Sequence, residues 1–378
     1  MNHQRITESS QKRFIGVDLH LDSFRACESR SNTNEKIEQK INLNKTELDY
    51  FIGTLDKNTH VMVESCANAF NFADMIRPHV EEVIIADSHK LKIISQTNKK
   101  TDKVDAEKIS RTLKMQVVSG EEVVNKVYCP EKEIQALRSL FTTYEQNKKM
   151  IISVKNHTKS LLAQNMIMLP PGKLAKRMIA YIETLELNST VSFQVKMYIE
   201  QLRVLEDIQT KISDQIKIAG TRFYREIEIL TSIKGISILT ALALIADIGD
   251  IKRFPNAKHL CSYLRSAPSV ESSNNTTRVK STNKFSRKLS MCFLTQEVAH
   301  FKNSIPPLKT WYDHKTKSVK KGKIRMAACR RIIVHIYNIL TKNEYHKFRD
   351  VKNHTTKMSQ YDIFLKNAGL FYENSKIA

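Results

Sequence analysis

FIGVDLHLD (14–22) and, after Ser23, FRACESRS (24–31) decide how the first third of the chain folds. Both are of strand length and rich in apolar residues, and Asp22–Ser23 between them is a turn signal, so the pair reads as a β-hairpin. KIEQKINLN (36–44) is read as a third strand, and a helix is expected from Thr46, taken as its N-cap. HVMVES (60–65) and EVIIAD (82–87) are further apolar runs of strand length, with helical segments between and after them. Three early strands followed by alternating helix and strand predict a mixed α/β layer fold.

The middle of the chain reads differently. No Gly or Pro lies between Pro130 and Pro170, nor between Lys173 and Ala219, and PPG at 170–172 breaks the run. Ile134, Leu137, Phe141 and Tyr144, then Tyr198, Leu202, Leu205 and Ile208, recur at helical spacing. This predicts a long helical hairpin, a coiled-coil-like arm over 130–220. An arm of ~35 residues would reach ~50 Å, as a spacer or a dimer contact. The expected fold class is therefore α/β plus α.

The chain has 378 residues and a formal net charge of +22, which favours polyanionic partners, nucleic acid first. ISILTALALIA (236–246) is the most apolar run and is about half the ~20 residues a membrane span needs. MNHQRITESSQK (1–12) has no apolar signal core, so a cytoplasmic protein without a membrane partner is expected. Six scattered cysteines contain no CxxC pair and read as reduced thiols. From about residue 228 the chain is expected to be helical and then basic. Residues 278–331 hold fifteen Lys/Arg against Glu297 and Asp313, with Phe285, Phe293, Phe301, Trp311 and Tyr312 interleaved. That mixture suits phosphate contact plus base or sugar packing. Arg278, Lys280, Lys284, Arg287, Lys288, Lys320, Lys321 and Lys323 are the expected nucleic-acid contacts.

Four carboxylates stand out. Asp18 interrupts an apolar strand, where a lone acid is costly unless paired or metal-bound. Glu64 ends the next strong strand, and Asp102 and Asp105, three apart, share one face at the start of a helix. Such acids gathered together need hard cations such as Mg²⁺. Taken singly, Asp102 reads as a helix-dipole partner and Glu64 as a solvated strand end.

GVDLH (16–20), VES (63–65) and KTDKVDA (100–106) resemble the N-terminal domain of the DEDD-type insertion-sequence transposases (insertion-sequence family 110). That domain is similar to Holliday-junction resolvases of the ribonuclease-H-like fold. Asp18, Glu64, Asp102 and Asp105 fill the four acidic positions in order. The loop Cys66-Ala67-Asn68-Ala69-Phe70 departs from the family, where a small–Gly–x–aromatic pattern is usual. LTSIKGISILTALALIADIGDIKRFPNAKHLCSYLRSAPSVESS (230–273) resembles the opening of the C-terminal transposase domain, and GKIRMAACRRIIVHIYNIL (322–340) its last helix. Without the resemblance, Ile233–Ile238 is a Gly-containing turn, either offering N–H groups to a phosphate or merely joining two helices. In the family a Pro is followed shortly by a Ser that attacks DNA. Pro268 precedes Ser272 and Ser273, and Asn274 stands where the family has glycine, which favours Ser273 and leaves Ser272 as the alternative. STNKFSRKLS (281–290) lacks the family's glycine.

The resemblance runs from Phe14 to about Leu340 and implies a ribonuclease-H-like metal-binding domain (12–120), the helical arm (130–220) and a basic helical transposase domain (228–345). Residues 346–378 remain unassigned. It further implies DNA recombination by serine attack assisted by Mg²⁺ or Mn²⁺, a structured guide RNA, and a homo-oligomer, dimer or tetramer. The alternatives are a metal-dependent nuclease or junction resolvase with an idle serine, and a non-catalytic nucleic-acid-binding remnant.

Overall fold

β1 (Arg13–Leu19) is buried on both faces along most of its length, which makes it a central strand. It pairs antiparallel with β2 (Ser23–Arg30), which pairs antiparallel with β3 (Lys36–Asn42). On its other side β1 pairs parallel with β4 (Thr59–Glu64), and β4 pairs parallel with β5 (Glu82–Ala86). The sheet order is β3-β2-β1-β4-β5. The computed structural model describes residues 12–31, 35–88, 91, 102–169, 176–267, 269–273, 276–280 and 288–370, with the backbone alone for 102–103, 176–178, 269–273 and 276–280. The chain divides into two units, Met1–Cys129 and Pro130–Ala378.

Alternation along β1 separates two cores in the first unit. Ile15, Val17 and Leu19 pack with Phe51 of α1 (Lys45–Gly53) and Phe72 and Ile76 of α2 (Ala69–Ile76). Phe14, on the opposite face, packs with Met62, Ile84, and Ile109 and Leu113 of α3 (Asp102–Ser119). The N-cap of α1 is Asn44, whose Oδ1 accepts from Glu47 N at 2.9 Å, while Glu47 accepts in return from Asn42 N. The expected cap, Thr46, lies inside the first turn: the amide side chain two residues earlier meets the free N–H groups first.

In the second unit α4 (Lys132–Gln164) and α6 (Ser189–Ala219) pair as a hairpin, with α5 (Lys176–Glu183) between them in sequence. At 1.5 Å per residue, α4 is about 50 Å long. Ile151, Val154 and Leu162 pack against Val195, Ile199 and Leu202. The buried Asn147 donates to Leu205 O at 2.9 Å and to Gln209 Oε1 at 2.6 Å, so its amide brings two hydrogen bonds into this seam. The other end of α4, with Ile134, Leu137 and Phe141, enters a larger core.

That core surrounds α8 (Ile238–Ile248), whose residues Thr240–Ala246 are all buried. The most apolar run is thus an interior helix, and among the described residues no helix is long and apolar enough to cross a membrane. Around it stand α7 (Tyr224–Thr231), α9 (Ala257–Tyr263), α10 (Leu289–Ser304), α11 (Pro306–Lys315) and α12 (Lys321–Lys342). The stretch expected to be helical is interrupted by an antiparallel hairpin, β6 (Ser269–Ser273) with β7 (Thr276–Lys280). The tail, without a sequence assignment, contains α13 (Val351–Asn367), which buries Met358, Tyr361 and Leu365 in the same core.

Candidate functional site

In the first unit the sheet register brings two of the four acids level. Val17 pairs with Val63 in the parallel β1–β4 ladder, so the next residues, Asp18 and Glu64, stand side by side at the strand ends. Strand alternation puts both on the face of Phe14 and Met62, the face that α3 covers. Gly16 makes this cover close. A Cβ there would lie 2.1 Å from Ser110 N and 2.4 Å from Ala106 O, both backbone atoms of α3. Gly16 meets Ala106, Ser110 Oγ donates to Phe14 O at 3.0 Å, and Lys114 Nζ donates to the carbonyl of Arg30, the pairing partner of Arg13, so α3 runs antiparallel to β1. The start of α3, bearing Asp102 and Asp105, therefore lies alongside the C-terminal half of β1.

Asp18 and Asp105 are largely but not fully covered, with side chains 13% and 27% exposed. His20 Nε2 lies 3.4 Å from Asp18 Oδ2, and Lys108 Nζ lies 3.4 Å from Asp105 Oδ1. The loop after Glu64, which departs from the family pattern, is nevertheless well anchored. Asn68 Nδ2 donates to His20 O at 2.8 Å, Ser65 Oγ and Ser88 Oγ are 2.7 Å apart, and Ser65 N donates to Ala86 O. Packing of this loop pushes the Cys66 thiol above its ordinary value, and the negative charges of Glu64 and Asp18 raise it further. Both carboxylates are therefore within electrostatic reach of one sulfur. As a donor set the acids offer oxygen only, which fits hard divalent cations. Among the described residues no three His, Cys, Asp or Glu side chains already converge on one point; Asp102 is described by its backbone alone.

In the second unit Ser273 pairs with Thr276 and Ser272 with Thr277, so both candidate serines close the β6–β7 hairpin. A polar run such as SSNNTT gave no strand signal. Pro268 and Asn274 lie outside the described residues. The Ile233–Ile238 turn has Gly235 at φ +105°, where a Cβ would lie 2.9 Å from His300 Cβ and from the Phe301 ring. Lys357 Nζ donates to Ile236 O at 3.0 Å. These contacts make it a packed helix–helix turn.

The basic segment divides. Arg278 and Lys280 lie on β7, and Lys284, Arg287 and Phe285 lie outside the described residues. Lys288 Nζ stands 4.5 Å over the Tyr263 ring. Lys309, Lys315, Lys317, Lys320, Lys321, Lys323 and Arg325 are exposed along α11 and the start of α12. Phe301 is fully buried, and Phe293 packs on Phe141 and Tyr144, so these two rings belong to the core and are not base platforms. Their spacing among charges is simply that of an amphipathic helix. Sequence reading missed Lys258, which helps to line a cleft with Trp311, Arg330 and Arg331. Residues so far apart in the chain carry no shared signal.

Residues 227–307, from within α7 to the start of α11, match the transposase IS116/IS110/IS902 family. The chain is also similar to a transposase for insertion sequence element IS1533 from Leptospira borgpetersenii, 23% identical over 268 residues, 67% of this chain and 74% of that protein. Residues 227–307 thus carry the pattern of an IS116/IS110/IS902-family transposase domain.

Proposed function

We propose that the chain is the transposase of an insertion sequence, of the DEDD type with a ribonuclease-H-like first unit, that cuts and rejoins DNA strands by serine attack. The observation that carries the carboxylate half is the level placement of Asp18 and Glu64 on parallel strands, with the start of α3 beside them. The sheet order, with three antiparallel strands continued by two parallel ones, supports the ribonuclease-H-like reading. The family match over 227–307 supports the transposase reading and includes both candidate serines.

In this reading Asp18, Glu64, Asp102 and Asp105 would hold Mg²⁺ or Mn²⁺. When bound, the ion supplies Lewis-acid stabilisation of the charge on a scissile phosphate. Ser273 Oγ forms a bond to phosphorus, one ester P–O bond breaks, and the freed sugar oxygen takes up a proton. The phosphoserine link keeps the phosphodiester energy, so a second sugar hydroxyl can reverse the step on another strand without ATP. The basic face of the second unit holds phosphates of DNA and of a structured guide RNA. A homo-oligomer, dimer or tetramer, brings the strands together.

A nicked substrate tests this. Protein should become trapped on DNA in a denaturant-resistant adduct that needs Mg²⁺ and Asp18, disappears in Ser273→Ala and persists in Ser272→Ala. Loss in Ser272→Ala alone moves the nucleophile by one residue. Cleavage that leaves protein-free ends in both variants makes the chain a nuclease.

A further inference from the structure

The second unit contains a cleft of about 620 Å³ between α9, α11 and α12. Among the described residues its charged lining is cationic: Lys258 of α9, and Arg330 and Arg331 of α12. Trp311 forms one wall, with the Arg331 guanidinium 4.3 Å from its ring centroid. Arg330 Nε is buried without an acceptor among the described residues, and a buried donor left so costs free energy until an acceptor arrives. Ala267 on the rim lies two residues before β6, the strand that ends at Ser273.

A flat aromatic–guanidinium surface beside cations that meet no acid among the described lining residues matches the two halves of a nucleotide, a base with a π-face and an anionic phosphate. We propose that this cleft binds one unstacked nucleotide of a single-stranded nucleic acid, its base against Trp311 and Arg331 and its phosphate on Lys258 and Arg330. A paired base inside a duplex cannot enter, because its faces are already stacked. This inference rests on the chain being a nucleic-acid enzyme, and gives that enzyme a site for holding a nucleotide other than the one attacked.

Trp311 is the chain's single tryptophan, so its emission reports on the cleft alone. Oligothymidylate and oligouridylate, each with an end label for anisotropy, should quench Trp311 in step with binding, and the tighter of the two identifies DNA or RNA as the source. A fully paired duplex should bind without quenching. Trp311→Ala and Lys258→Ala should weaken single-strand binding on the order of tenfold, with Trp311→Phe keeping most of the affinity. Saturation of the labelled strand with unchanged Trp311 emission overturns the pocket and leaves the transposase reading standing. Equal quenching by duplex also overturns it. If the wild-type chain binds no nucleic acid at all, both readings fall. The emission of the wild-type protein decides even if Trp311→Ala fails to fold.

Discussion

Gly16 is where a missing methyl group decides the distance between helix and sheet. Main-chain atoms of α3 occupy the space a Cβ would need, so no side-chain rotation relieves the clash. Gly16→Ala should cost roughly 1–3 kcal/mol or more, because α3 must move bodily. Thermal unfolding measures that loss, and cleavage should fall with it as Asp105 is displaced from Asp18. Asp18→Asn is the complementary change. It should leave the melting profile near wild type while weakening Mn²⁺ binding and abolishing cleavage; full cleavage by the folded variant would remove the carboxylate site. A third residue-scale outcome concerns pH. His346 is 3% exposed, its Nε2 lies 3.2 Å from His335 Nδ1, and burial lowers its pKa from 6.5 to about 4. The unfolded chain therefore binds the proton more tightly than the folded one. Stability is fully present above 6.5 and is lost as pH falls from 6.5 towards 4. The loss from this group is about 3 kcal/mol at most. His346→Gln should flatten the fall in melting temperature over that window; an equally steep fall assigns it to other groups. Asp18 was legible in the sequence because an acid inside VDL contradicts its apolar neighbours. Trp311 was noticed there only as one ring among several, since burial alone distinguishes it from Phe301.

Helix pairing in the arm depends on a few contacts at its seam. Asn147, like Thr158, is a buried polar residue of α4, and Lys155 Nζ meets Glu206 Oε1 across the same pair at 2.8 Å. Asn147→Ala removes two hydrogen bonds and leaves Gln209 unpaired, a loss on the order of 1–2 kcal/mol. Amide exchange in the α4–α6 seam near residues 147 and 205 should then quicken roughly tenfold, with the α8 amides unchanged. Uniform quickening across both would mean that the arm and the core open together. α12 was read only through the family resemblance, whereas the arm was legible because its apolar residues recur at helical spacing, and the sheet because its strands are short apolar runs between turn signals. The β6–β7 hairpin was not, since serine, asparagine and threonine carry no alternation of hydrophobicity. Nor was α13 legible: its buried His354, Met358, Tyr361 and Leu365 include two polar rings, which blur an apolar stripe.

At the scale of the whole molecule the +22 charge sets how binding responds to salt. If the chain neutralises several phosphates together, as proposed, its affinity for DNA should fall on the order of a thousandfold between roughly 50 and 200 mM salt. Replacing Lys320, Lys321 and Lys323 by Ala should reduce the log–log slope by roughly 3 if each meets one phosphate. An unchanged slope would make them a solvated face only. Tyr361 OH donates to Lys217 O at 2.7 Å, Tyr224 OH donates to Asp362, and Lys357 holds the Ile236 carbonyl. α13 thus braces the end of the arm, α7 and the Gly235 turn, all made earlier in the chain. During synthesis, which runs from the N-terminus, α13 leaves the ribosome after every element it braces. The α/β unit can close while translation continues, but the second unit must wait for α13. The core of that unit is therefore completed only once Val351–Asn367 has emerged from the ribosome.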